Sequence, residues 1–219
     1  MQKRKLQQRN HAQKQQILPQ LRNRARQNGY QSKMSDDRLE FDSIDDVITA
    51  LGTAYVQAEP APEENRAAYR ELARYNVDRF EDIPVDVHFT ADDPYPSHEE
   101  MVRDIEENNQ LYIFSEGTHP VHMNREENIK GRAVHDYFGH YMNDCDFSFE
   151  GEFEKWYNQR EHVPDSAEDI LFSEVVGQTA LVHHLEDGFE DDNFEQKNYT
   201  FDPELQSAVL DYMTEWREV

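Results

Sequence analysis

DSAEDILFSEVVGQTALVHHLED, residues 165–187, carries a long helical pattern with two polar residues on its apolar face. Its apolar residues Leu171, Val175, Val182 and Leu185 recur at helical steps, the pattern of a helix with one face on a core. Asp165 with Glu168, just after Pro164, marks its start, and Gly188 its end. Glu174 and Gln178 fall on the same stripe, four residues apart and stacked. A carboxylate turned into a core is costly unless it is paired or bound to a cation. The plain alternative to a cation is a hydrogen bond from a tyrosine, or from an arginine elsewhere such as Arg132.

Working outward, the same periodicity predicts helices over 44–59 and 63–80, the first carrying Val47, Ile48, Leu51, Ala54 and Tyr55. Residues 85–89 alternate like a short strand, and 111–114 read as a second. Ser97 with Glu100 forms a capping box for a helix to about 107, and Asn124 with Glu127 caps one that runs into Gly139. Residues 149–162 are helical, 190–195 are an acidic loop, and Asp202-Pro203 opens a last helix to about 217. The fold class expected is therefore mainly α with a minor two-strand element. It is a single globular domain over 35–219, preceded by a basic, disordered arm over 1–34.

The charge sets limits on partners. The 219 residues carry 22 Lys and Arg against 46 Asp and Glu, a net −24. Residues 1–33 hold nine basic residues and no acid, which leaves 13 basic against 46 acidic residues, or −33, on the remainder. Only Lys130, Lys155 and Lys197 lie outside that arm. Such a body repels itself in dilute buffer, and at about 1 M salt, where the Debye length is ~3 Å, the repulsion largely vanishes. That composition points to the cytoplasm of a salt-loving host, the ordinary acidic protein being the blander reading. It also excludes nucleic-acid binding by the body and leaves it only to the arm. The arm reads equally as a tether or as a start codon placed upstream of Met34. No apolar run reaches the roughly 18 residues of a membrane span, and no signal peptide is expected. Cys145 is the sole cysteine, so neither an intrachain disulfide nor a cysteine zinc site is expected.

Chemistry concentrates in Gly131-Arg-Ala-Val-His135-Asp136-Tyr-Phe-Gly139-His140. Histidines five apart diverge by ~140° on a continuous α-helix. Gly139 is expected to let the helix end and the chain turn, so that both imidazoles point at one ion. Joined to the inward Glu174, this predicts metal ligands His135, His140 and Glu174. Asp136 then orients a ligand from behind or pairs with Arg132, Gln178 supports Glu174, and Arg132 takes an anionic substrate. Two histidines and one carboxylate form the facial triad of non-haem Fe(II) oxygenases; the same set on Zn(II) gives a hydrolase, and spacing leaves both open. A structural metal or polar cluster in a non-enzymatic protein is the reading from another class. Glu152 and Trp156 share a helical face, read evenly as pocket wall or as surface and core. His183 and His184 read as structural or solvent-facing.

The segment His135-Asp-Tyr-Phe-Gly-His140 resembles the His-Asp-Leu-Phe-Gly-His iron motif of bacterial aromatic amino acid hydroxylases. Ser173-Glu174-Val-Val-Gly177 is similar to the context of that family's third ligand, a glutamate. The resemblance covers about a tenth of the chain and implies iron on His135, His140 and Glu174. Val134, Tyr141 and Met142 depart from the motif's flanks, so the resemblance extends neither to a pterin nor to an aromatic amino acid substrate. Over most of 85–180 the chain also resembles a family of uncharacterised tailed-phage proteins. The shared segments are Asp93-Pro-Tyr-Pro-Ser97, Arg132-Ala-Val-His-Asp-x-Phe-Gly-His140, Gly151-Glu152 with Trp156, and Glu174-x-x-Gly-Gln178. This implies a viral or proviral origin and, with the acidity, a haloarchaeal virus. The expected protein is a mononuclear metal enzyme acting on an unidentified small molecule, with Fe(II) favoured and Zn(II) the alternative.

Overall fold

The computed structural model describes residues 39–59, 62–185, 188 and 196–217. The basic arm and the acidic loop 190–195 lie outside the described residues. The chain is mainly helical with one small sheet. Its helices are α1 (Ile44–Gln57), α2 (Pro62–Phe80), α3 (His98–Asn108), α4 (Arg125–Val134), α5 (Phe149–Gln159), α6 (Glu168–Phe172), α7 (Gln178–His184) and α8 (Pro203–Arg217). Strands β1 (Asp86–Thr90) and β2 (Gln110–Phe114) pair in parallel, Val87 opposite Leu111 and Phe89 opposite Ile113. Parallel pairing needs a crossover, and α3 supplies it. No helix among the described residues is long and apolar enough to cross a membrane.

Caps fix the helix starts. Ser43 accepts from the Asp46 N–H, and Ser97 from that of Glu100. Asn124 and Glu127 form a reciprocal capping box at α4, as the sequence predicted. Glu127 also ties α4 to α2, where its two oxygens take both guanidinium nitrogens of Arg70 at 2.7 Å each. That bidentate bond holds the Glu127 carboxyl below its ordinary range. A depressed folded-state pKa contributes stability at neutral pH that is lost as pH falls through it. Glu127→Gln is expected to cost about 1 kcal/mol near pH 7. The gap from wild type should begin to shrink below about pH 4, where the unfolded glutamate protonates, and close as the pH falls through the lower pKa of the folded carboxyl. Urea melts at the two pH values check this, and a gap that persists at low pH would contradict it.

Two apolar clusters form the core. The larger joins α1, α2, α5, α6, α7 and α8 around Leu51, Tyr69, Phe153, Trp156, Phe172 and Val209. The smaller joins α3, the sheet and α4 around Met101, Ile105, Leu111, Ile113 and Tyr137. The helix after α4 belongs to the smaller cluster and packs on α5 of the larger one. The candidate site lies on that seam.

The two segments that carry the chemistry depart from α geometry. Residues His135–Tyr141 continue α4 as a π-helix, and Ser173–Gly177 form another between α6 and α7. Bonds from Met142 N–H to the Tyr137 carbonyl and from Cys145 N–H to that of His140 mark the five-residue step. Asn143 Nδ2 donates to the carbonyls of Phe138 and Gly139, which the widened turn leaves in want of donors. In the second segment Ser173 Oγ donates to the Asp169 carbonyl, the back-bonding that bends helices. The stretch 165–187 is thus not one uniform helix. It opens with a 3-10 turn at Asp165–Ala167, widens at Ser173 and ends at His184, four residues before the left-handed Gly188. His183 and His184 are exposed.

Candidate metal centre

The π-helix corrects the expected role of Gly139. The helix does not end there. A π turn bonds residues five apart and stacks them, so His135 and His140 face each other without a break, Nε2 to Nε2 at 2.9 Å. Gly139 instead makes room. A Cβ on it would stand 2.5 Å from Lys155 Cε and 2.6 Å from Cγ. Lys155 is 1 % exposed, and a buried side chain in a packed core has little room to retreat. Gly139→Ala is therefore expected to destabilise by about 2 kcal/mol and to push Lys155 off His135. Chemical denaturation gives the first and the histidine ring NMR shifts the second. Wild-type stability with unmoved shifts would show that the contact is slack.

The carboxylate on the histidine pair is Glu152. Its Oε1 lies 3.4 Å from His135 Nε2 and 3.3 Å from His140 Nε2. Asp136 Oδ1 stands 3.9 Å from His135 Nε2. His135, Asp136 and His140 also form a group whose ligand atoms all lie within 4.8 Å of one another. Asp136 thus comes nearer the ring nitrogens than its place on the helix suggested. Glu174 stands elsewhere. Its Oε1 accepts from the Tyr69 hydroxyl, and its Oε2 from Gln178 Nε2 at 2.6 Å and Gln196 Nε2 at 2.8 Å. Burial pushes its carboxyl up and these three donors pull against that. Gln178 supports Glu174 as expected, but away from the histidines. Arg132 donates to the carbonyls of Phe114, Glu116 and Thr118, anchoring the chain that leaves β2. These three bonds make it an anchor of that loop.

Glu152 was open to two readings in the sequence. A signal was there: Phe149, Phe153 and Trp156 are among α5's buried residues, and Glu152 sits at helical spacing among them. The argument that turned Glu174 inward applied to Glu152 equally. Lys155 on the same helix was missed. Its sign was its rarity, one of three lysines in an acidic body.

Donor and acceptor geometry makes the histidines unlike. His140 Nδ1 is 2.8 Å from the Cys145 carbonyl. A carbonyl only accepts, so in the neutral ring Nδ1 bears the proton and Nε2 offers its lone pair. Ligating histidines are commonly fixed in this way. His135 Nδ1 faces Lys155 Nζ at 2.5 Å. Without an ion, the contacts run in one direction: ammonium to His135 Nδ1, His135 Nε2–H to His140 Nε2, His140 Nδ1–H to the carbonyl. Burial lowers His135 to about 4, helped by Lys155. Burial also lowers Lys155 to about 8 and raises Asp136 to about 6. Burial works against the charged forms of His140 and Glu152 too, but Glu152 outweighs it to raise His140, and His135 and then His140 hold Glu152 well below the usual carboxylate range.

The donor set fits a divalent cation. Atoms held about 2.1 Å from one ion are ~3.0 Å apart at right angles and ~3.4 Å apart at tetrahedral angles. The observed 2.9, 3.3 and 3.4 Å span that interval. Glu152 Oε2 is buried without a hydrogen-bond partner, a deficit a bound ion would relieve. The side chains of His135 and Asp136 remain 28 % and 26 % exposed, so one side of the cluster opens to solvent. No family model, curated protein or solved structure matches the chain.

Proposed function

We propose that the chain is a mononuclear metal-dependent enzyme in which His135, His140 and Glu152 hold one divalent ion, with Asp136 beside it. The observation that carries this reading is the near-equilateral triangle of two ring nitrogens and one carboxylate oxygen, open on one side. Three protein ligands with free positions are the mark of a catalytic rather than a structural ion. Two nitrogens and one carboxylate suit Fe(II) and oxygenase or hydroxylase chemistry, and on Zn(II) the same set activates water for hydrolysis. The side chains around the ion have separate roles. The Cys145 carbonyl sets the His140 tautomer, Lys155 offsets the charge of Glu152 and Asp136, and Asp136 stands at the solvent side to receive a small-molecule substrate. The net charge of −24 and the scarcity of lysine support a halophilic host, and the resemblance of 85–180 to tailed-phage proteins supports a viral gene. The basic residues of 1–33 are where nucleic acid would bind.

A second reading has its own support. The unidirectional chain from Lys155 through both histidines to the Cys145 carbonyl satisfies these groups with no ion, as a structural polar cluster would. Calorimetric titration of the metal-stripped chain in about 2 M KCl with Fe(II) under nitrogen, and with Zn(II), separates the two. The enzyme reading predicts one tight site per chain that His140→Ala abolishes. No heat of binding, with His140→Ala affecting only stability, supports the structural cluster.

A further inference from the structure

We propose that His98 is an outer partner of this centre, its Nε2–H donating to the non-protein ligand that completes the ion's coordination; this rests on the metal reading above. His98 is the first residue of α3, placed there by the Ser97 cap. It is 8 % exposed, and its Nε2 is buried with no hydrogen-bond partner. An unsatisfied buried nitrogen is costly, and a short helix could have begun with an apolar residue instead. One side of the ring lines a solvent groove of ≈ 280 Å³ with Glu99, Arg103, Glu107 and Asp144. Nε2 itself is closed to solvent.

The ring is a neighbour of His140. His98 and His140 have centroids 6.5 Å apart, and Phe147 stands edge-on to both, 5.9 Å from His98 and 4.9 Å from His140. Two imidazoles bound about 2.1 Å from one ion at roughly right angles keep their centroids about 4.5–5 Å apart. His135 and His140, at 4.7 Å, meet this. His98 is too distant to be a ligand of that kind. A ring set back by one hydrogen bond of about 2.8 Å belongs at roughly 6 Å or a little beyond, where His98 is. An exogenous ligand arriving with the ion brings the acceptor that Nε2 lacks.

The probe is azide, titrated into the Co(II)-loaded full chain in about 2 M KCl and followed by the visible bands of the ion. His98→Phe and His98→Ala are each expected to weaken azide about tenfold, the worth of one hydrogen bond, with Co(II) affinity within about threefold of wild type. His98→Gln, which retains an N–H donor, should recover most of the azide affinity. If phenylalanine is not accommodated, the alanine variant carries the comparison. Azide affinity equal to wild type in all three variants, with Co(II) bound normally, overturns the role of His98 and leaves the centre standing. Loss of Co(II) itself from a folded His98 variant also overturns it, by making His98 a direct ligand. A wild-type chain that takes up no Co(II) overturns the centre, and the proposal with it.

Discussion

Glu152→Gln is expected to weaken divalent-ion binding at least about a hundredfold, while the fold persists in high salt. The change removes the one anionic donor of the triangle and keeps its volume. An amide oxygen carries no net charge to set against a dication, and the pair of imidazoles alone is a poor site. The same variant strips His140 of the partner that raises its pKa. Lys155 then loses one of its two carboxylate neighbours, Asp136 remaining, so some stability goes too, on the order of 1–3 kcal/mol. Calorimetry of the metal-stripped protein reads the affinity, and circular dichroism reports the fold. Near-wild-type affinity in a folded Glu152→Gln protein contradicts the assignment of Glu152 as a ligand.

Glu174→Leu should do the reverse, a large loss of stability with the ion still bound. Its carboxylate gathers Tyr69 from α2, Gln178 from α7 and Gln196 from the chain that leads to α8. Tyr69 is fully buried. Leucine leaves three donors without their acceptor, one of them the core residue Tyr69. That costs about 3–5 kcal/mol, which for a chain of this size lowers the melting temperature by about 10 °C. Scanning calorimetry in molar KCl reads it. A shift under about 2 °C, or loss of ion binding from a folded Glu174→Leu protein, goes against the division of labour between the two glutamates.

That division shows where the sequence could be read and where it could not. The helices over 44–59, 63–80 and 203–217 were legible because apolar periodicity and capping residues act over a few neighbours. So was the inward turn of Glu174, which its place on the stripe dictates. What Glu174 meets there was not legible, since Tyr69 and Gln196 arrive from distant segments. Local spacing likewise put His135 and His140 on one target, but by the wrong device. A π turn depends on which carbonyls find donors, here supplied by Asn143, and periodicity at 3.6 residues carries no sign of it. Gly139 looked like a helix end and serves as a recess for Lys155, a contact 16 residues along the chain. The sheet was expected as two strands; its parallel pairing follows from α3 lying between them, a matter of topology rather than propensity.

Anomalous diffraction from crystals grown with Co(II) or Zn(II) in high salt tests the central claim most directly. One peak per chain is predicted, about 2.0–2.2 Å from His135 Nε2, His140 Nε2 and a Glu152 oxygen, with Glu174 still bonded to Tyr69, Gln178 and Gln196. A peak on Glu174, or no peak at the histidine pair from a crystal soaked at millimolar metal, would contradict it.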